Sequence, residues 1–186
     1  CRDINVRMKR IGKLTVASDD KDIPTLFRLK EQGEANGVPG LEILGQEGMQ
    51  KIQPGVGGVM ALYSPTSGIV CPYGLTIGLA ENALDNGVHF FLGQEVSSIE
   101  TLSAGGFLVE TKSGTRLKTR ILINAAGLFA DAVCRMAGIE DYRIYPCRGE
   151  YYVLDKRLDG TITTLIYPAP RVDEPGLGIH LTPTVD

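Results

Sequence analysis

The 186-residue sequence contains no apolar run long enough to cross a membrane. Its longest apolar stretches, residues 75–84 and 121–133, are interrupted by Gly78, Glu81, Asn124 and Asp131, well short of the roughly 20 residues that a spanning helix needs. A soluble chain is expected. Basic residues are not in excess. With 19 Lys and Arg against 22 Asp and Glu, the formal net charge is −3, which offers no continuous positive surface to a phosphate backbone and argues against a nucleic-acid partner. Cysteine is sparse, and Cys1, Cys71, Cys134 and Cys147 lie too far apart for a CxxC pair. Neither a disulfide scaffold nor a metal cluster is indicated, so reduced thiols and a cytoplasmic location are expected. Low-complexity tracts, like-charge blocks and internal repeats are also missing, which removes disordered tails and repeat architectures from consideration.

What remains is the composition of an ordinary globular protein, 43% hydrophobic and 22% charged. A chain of this length can bury roughly 70% of its unfolded surface. Residues 9–17 read as a strand, and Ser18, Asp19 and Asp20 follow as a helix-capping cluster. A helix is expected over 21–35, with Pro24 in its first turn and Asn36 and Gly37 as its stop. Residues 41–52 read as a second helix closed by Pro54, and 59–63 as an apolar strand. A third helix starts at Pro72, carries Leu75, Leu79 and Ala83 four apart, and ends at Asn86 and Gly87. Strands are expected over 89–92, 95–101, 107–111 and 117–124, with Ser113 and Gly114 in a hairpin turn. A short helix over 129–137 and three strand-like segments, 142–154, 161–167 and 178–183, complete the reading. The change to mostly sheet near Asp141 marks the expected domain border, with 1–140 and 141–186 interleaving rather than joined by a linker.

Residues 121–127 run from apolar strand into Asn124, Ala125, Ala126 and Gly127. Small residues at a strand's carboxyl end let a backbone approach a ligand closely, or simply let strand and helix pack tightly. This segment, followed by Ala130 and Asp131, is similar to the D-amino-acid oxidase superfamily of FAD-dependent oxidoreductases. Residues 61–70, the helix with Ala80 to Ala83, then Asn86 to Val88, 148–152 and 176–186 resemble, in order, the branch containing L-2-hydroxyglutarate and glycerol-3-phosphate dehydrogenases. The resemblance covers nearly the whole chain. It implies a fold between α/β and α+β: part of an FAD-binding domain interleaved with a mostly antiparallel β substrate domain.

The same resemblance implies an FAD cofactor, a small-molecule substrate, a separate electron acceptor and possible peripheral membrane association of the parent protein. One departure stands out. The family's glycine-rich GxGxxG turn for the FAD pyrophosphate has no counterpart here, because Gly55, Gly57 and Gly58 have the wrong spacing and Gly105 and Gly106 sit in a turn between strands. Together with Cys1 in place of an initiator Met, this makes an internal piece of a longer enzyme the expectation, with an incomplete cofactor site.

By resemblance, Val96 is the strand residue whose backbone meets the adenine, and Ala125, Ala126 and Gly127 line the dinucleotide; Val96 also reads as a plain core valine. His180 is the candidate catalytic base, since imidazole titrates near neutral pH and can take a hydroxyl proton as hydride leaves carbon; the other reading is a hydrogen-bonded structural histidine. Arg148 is a candidate for a bidentate grip on a substrate carboxylate or phosphate, with Tyr151 or Tyr152 adding a hydroxyl. Alternatively it forms a surface ion pair with Glu150, worth at most about 1 kcal/mol. His89, Cys71 and Cys147 receive no role, and no metal ligands are assigned. Oxidation of a 2-hydroxy acid such as L-2-hydroxyglutarate is the expected activity, with glycerol 3-phosphate as the alternative substrate and a non-catalytic binding domain as the rival class.

Overall fold

The computed structural model describes Cys1, residues 3–171 and residues 178–185; Gly176, Leu177 and Asp186 of the 176–186 motif lie outside the described residues. It is a mixed α/β chain. Its elements, in order, are β1 (Met8–Arg10), β2 (Lys13–Ala17), α1 (Ile23–Ala35), β3 (Glu42–Gly45), α2 (Gln46–Ile52), β4 (Met60–Ser64), β5 (Gly68–Val70), α3 (Pro72–Asp85), β6 (Val96–Thr101), β7 (Phe107–Thr111), β8 (Arg116–Thr119), α4 (Ala130–Met136) and β9 (Leu165–Pro168). The chain divides into two compact units, one of Cys1–Gly87 with Tyr152–Asp186 and one of Val88–Tyr151. The border expected near Asp141 falls inside the second unit.

The first unit is organised by a four-stranded sheet in the order β3-β4-β2-β9. Its pairs are antiparallel except β2 with β9, which run parallel. β2 is central, and its sequence Leu-Thr-Val-Ala is buried on both faces, as expected of a strand covered on each side. Leu14 and Val16 pack with Ala61, Val56 and Met49 of α2 on one face, while Ala17, Leu62 and Ala169 pack with Leu26 of α1 on the other. α1 begins with Pro24 in its first turn and ends at Asn36, where Gly37 takes φ 77°, a left-handed conformation that favours glycine. The second unit holds the antiparallel meander β6-β7-β8, with Gly105 and Gly106 in one turn and Ser113 and Gly114 in the other; α4 packs against β6.

Several expected elements differ, and strand pairing explains most of them. The single strand over 9–17 is two strands, because the N–H groups of Ile11 and Gly12 both donate to the Ser67 carbonyl, at 3.1 and 2.9 Å. Gly12 has φ 72°, and a Cβ there would come within 2.7 Å of the Tyr63 ring. The helix over 41–52 starts only at Gln46: Ile43 and Leu44 pair with Leu62 and Ala61, so tertiary pairing overrides local preference. β8 stops at Thr119 rather than at Asn124, since Thr119 pairs with Phe107, the first residue of β7, and among the described residues no strand pairs with the chain beyond it. Residues 89–92 and 142–154 form no strand. Of 161–167 only the end enters β9, and 178–183 contributes a single antiparallel bridge, Leu181 with Ile166. The final third is therefore less sheet than its sequence suggests.

Two polar contacts tie distant segments of the first unit together. The buried Gln53 donates to the Thr161 carbonyl at 2.8 Å and accepts from the Thr163 N–H at 2.8 Å. At the start of α1, Arg171 grips Asp22 through Nε to Oδ1 at 3.0 Å and Nη2 to Oδ2 at 3.1 Å. The Asp22 side chain is 8% exposed and that of Arg171 40%. Hydrogen bonding from Arg171 is the main cause that holds the Asp22 carboxyl below its ordinary pKa, against an opposing push from burial. A carboxylate depressed in the folded state contributes stability that is full above its unfolded pKa, about 4, and is lost as pH falls through the depressed value. Asp22→Asn should cost about 2 kcal/mol at pH 7 and flatten the loss of stability below about pH 4. Urea midpoints across that range test this; parallel curves for the two proteins would remove the clamp from the account.

Candidate functional site

His180 sits in the first unit, in the short segment that the Leu181 bridge holds against the outer edge of β9. Because Ile166 faces Leu181 in antiparallel register, Tyr167 and His180 are opposite each other and project to the same face. Their rings stack, with centroids 4.5 Å apart and planes inclined by 12°. The imidazole Nδ1 lies 3.0 Å from the Gly178 carbonyl oxygen. A carbonyl only accepts, so Nδ1 carries the hydrogen and the neutral ring has its lone pair on Nε2. Gly178 supplies this carbonyl from a left-handed turn, φ 64°, in which a Cβ would come within 2.6 Å of Pro168 Cγ. The arrangement fixes the ring plane of His180 and leaves the neutral ring with a defined tautomer. Residue order in 161–167 gave no sign of the Tyr167 contact, because it depends on which residue of another segment lies opposite.

Tyr167 also has the Lys13 ammonium over its ring, at 5.9 Å from the centroid. Lys13 begins β2 and pairs with Leu165, while Thr15 pairs with Tyr167, so Lys13 shares the sheet face that bears Tyr167 and His180. On the opposite face a cavity of about 310 Å³ is bounded by Val16, Gln53, Val56, Ile166, Ile179 and Leu181 among others. Tyr167 also borders it, and among the described residues no carboxylate, histidine, lysine, arginine or cysteine lines it.

The other candidate residues divide between the units. Tyr152 belongs to the first; Arg148, Tyr151, Val96, Ala125, Ala126 and Gly127 belong to the second. Arg148 forms the ion pair with Glu150, Nη2 to Oε1 at 3.2 Å, with side chains 85% and 69% exposed. Tyr151 and Tyr152 are exposed as well. No strand runs through 148–152, so strand alternation does not separate the two tyrosines.

Val96 opens β6, an edge strand, and is paired with Thr111 beside an irregularity between Val96 and Ser98. After β8 the chain continues through Ile121 and Ile123, both exposed. Neither Ile123 nor Ala125 makes a backbone hydrogen bond among the described residues. Asn124 shapes the turn: its Oδ1 accepts from the Ala126 N–H at 3.2 Å and its Nδ2 donates to the Ala130 carbonyl at 2.8 Å. Gly127 takes φ 56° with open space where a Cβ would stand. Asp131 accepts from Arg135 at 3.2 Å and from the Ile144 N–H at 3.4 Å, and its carboxyl is held below the ordinary range chiefly by Arg135. Small exposed residues with accessible backbone fit one edge of an FAD molecule. The chain contains no GxGxxG turn to cradle its pyrophosphate.

Among the described residues no helix is long and apolar enough to cross a membrane, and no group of three metal-ligating side chains occurs. Comparison with known proteins gives consistent matches. The chain is 40% identical over 187 residues to a glycerol 3-phosphate dehydrogenase of Caloramator mitchellensis, covering 100% of this chain and 38% of that protein. It is 33% identical over 199 residues to a mitochondrial L-2-hydroxyglutarate dehydrogenase of Nematostella vectensis, covering 100% and 44%. The chain thus spans less than half the length of these curated relatives. An L-alpha-glycerophosphate oxidase from Mycoplasma pneumoniae with FAD bound shares the fold, with a TM-score of 0.77 and 24% identity over 97% of this chain and 48% of that one. A family model described as FAD dependent oxidoreductase matches residues 1–186, and the chain belongs to this DAO family.

Proposed function

We propose that the full-length protein is an FAD-dependent oxidoreductase that oxidises the CH–OH group of a small 2-hydroxy acid such as L-2-hydroxyglutarate. The observation that carries the reading is the oriented imidazole of His180, hydrogen-bonded through Nδ1 to Gly178 at 3.0 Å and stacked on Tyr167, within a chain of this family. Bound FAD supplies the two-electron acceptor. The part of this chain is to receive the hydroxyl proton at His180 Nε2 as the carbinol C–H bond breaks, leaving an oxo acid. Val96, Ala125, Ala126 and Gly127 would hold one edge of the cofactor. Arg148, with Tyr151 or Tyr152, is proposed to contact the substrate.

Glycerol 3-phosphate is the second reading, favoured by the 40% identity to a glycerol 3-phosphate dehydrogenase. The proposal includes a cytoplasmic location, transfer of electrons to a separate acceptor, and peripheral membrane association of the full-length protein. Anaerobic flavin bleaching of that protein, offered L-2-hydroxyglutarate and glycerol 3-phosphate in parallel, tests it. Bleaching by one of them names the substrate. A full-length protein that neither contains nor takes up FAD is instead a non-catalytic binding domain.

A further inference from the structure

We propose that Lys13, Tyr167 and His180 form a single site, in which Lys13 binds the anionic group of the substrate, carboxylate or phosphate, and Tyr167 fixes the plane of the His180 imidazole. The inference rests on the reading of His180 as the base and adds the substrate's anchor to it. The sheet places the three side chains in a row on one face. β2 lies on one side of β9 and the 178–181 segment on the other, with Tyr167 between Lys13 and His180. α1 covers this face over β2, β3 and β4, which leaves the β9 side to the three residues.

Lys13 is half-buried, yet no carboxylate lies within 4 Å of its ammonium among the described residues; Lys51 and Lys112 each have one and Arg171 has two. A partly desolvated ammonium held only over an aromatic ring retains donors for an anion. Arg148, by contrast, already has a carboxylate partner in Glu150. Both substrate readings carry an anionic group beside the reacting carbinol, so one cation near the base serves either.

The test uses the FAD-loaded full-length protein and two unreactive anions, glutarate and inorganic phosphate, titrated by calorimetry. Wild type is expected to bind at least one of them. Lys13→Met should weaken that binding and raise KM by about tenfold, the loss of one charge-assisted hydrogen bond, with kcat changed less than about twofold, since uniform binding is what is removed. Lys13→Arg should restore binding. Tyr167→Leu should lower kcat by about tenfold through misplacement of the base, and Tyr167→Phe should recover it. If Lys13→Met folds poorly, Lys13→Gln serves the same comparison. Unchanged Kd and KM in the Lys13 variants, or no binding of either anion by wild type, overturns the anchor. If His180→Asn keeps full kcat while Lys13→Met loses binding, the base assignment falls and the anion site stands.

Discussion

His180→Asn in the full-length flavoprotein is expected to lower kcat by at least about a hundredfold, the ordinary contribution of a positioned general base, without loss of FAD. Asparagine suits this test for a structural reason. Its amide N–H can replace the Nδ1 hydrogen bond to the Gly178 carbonyl while removing the Nε2 lone pair. His180 is also outside the residues proposed to hold the cofactor, so flavin content should match wild type. Equal kcat in the two proteins, with equal flavin content, would return His180 to a structural role supporting the bridge between Leu181 and β9.

Leu14→Ala should produce the largest loss of stability, about 2–5 kcal/mol. Leu14 is 0% exposed on the central strand of its sheet. It is flanked in register by Tyr63 and Ile166 and packed in the cluster with Met49, Val56 and Ala61. These neighbours are held by β4, β9, α2 and the loop at Val56, so no single shift can close the space that the missing Cγ and two methyl carbons leave. Leu14→Met, which nearly conserves volume, should cost less than about 1.5 kcal/mol. Thermal or urea unfolding measures both, and a roughly 10 °C lower midpoint is expected for alanine. A loss for alanine no larger than that for methionine would mean that the sheet is not closed over Leu14 as described. Because Lys13 and Tyr167 flank the same strand pair, the alanine variant should also blunt the effects seen at the proposed anion site.

The elements legible in the sequence are those specified by local chemistry. α1 and α3 announce themselves by proline in the first turn and by Asn-Gly at the end, Asn36 with Gly37 and Asn86 with Gly87, since these residues act on the backbone of the turn they occupy. The meander is equally readable, because Gly105, Gly106 and Gly114 adopt positive φ in turns only a few residues long. Strand ends are a different matter. Residues 117–124 close with the apolar run Ile121-Leu122-Ile123, yet β8 ends at Thr119, where its partner β7 begins.

The same division holds at the site. Sequence order by itself determined the family resemblance, the helices, the hairpins and His180 as the titratable residue of interest, because each depends on residue identity or on neighbours within a few positions. Only the tertiary structure decided that Glu42–Gly45 is strand, that Arg148 meets Glu150 rather than standing unpaired, and that His180 stacks on Tyr167 with Lys13 over the same ring. The strand and the stack depend on which residue of a distant segment lies opposite in the sheet, and the ion pair on the absence of a strand through 148–152. Register across a sheet is a property of pairing and burial, and pairing is settled only when the whole core closes.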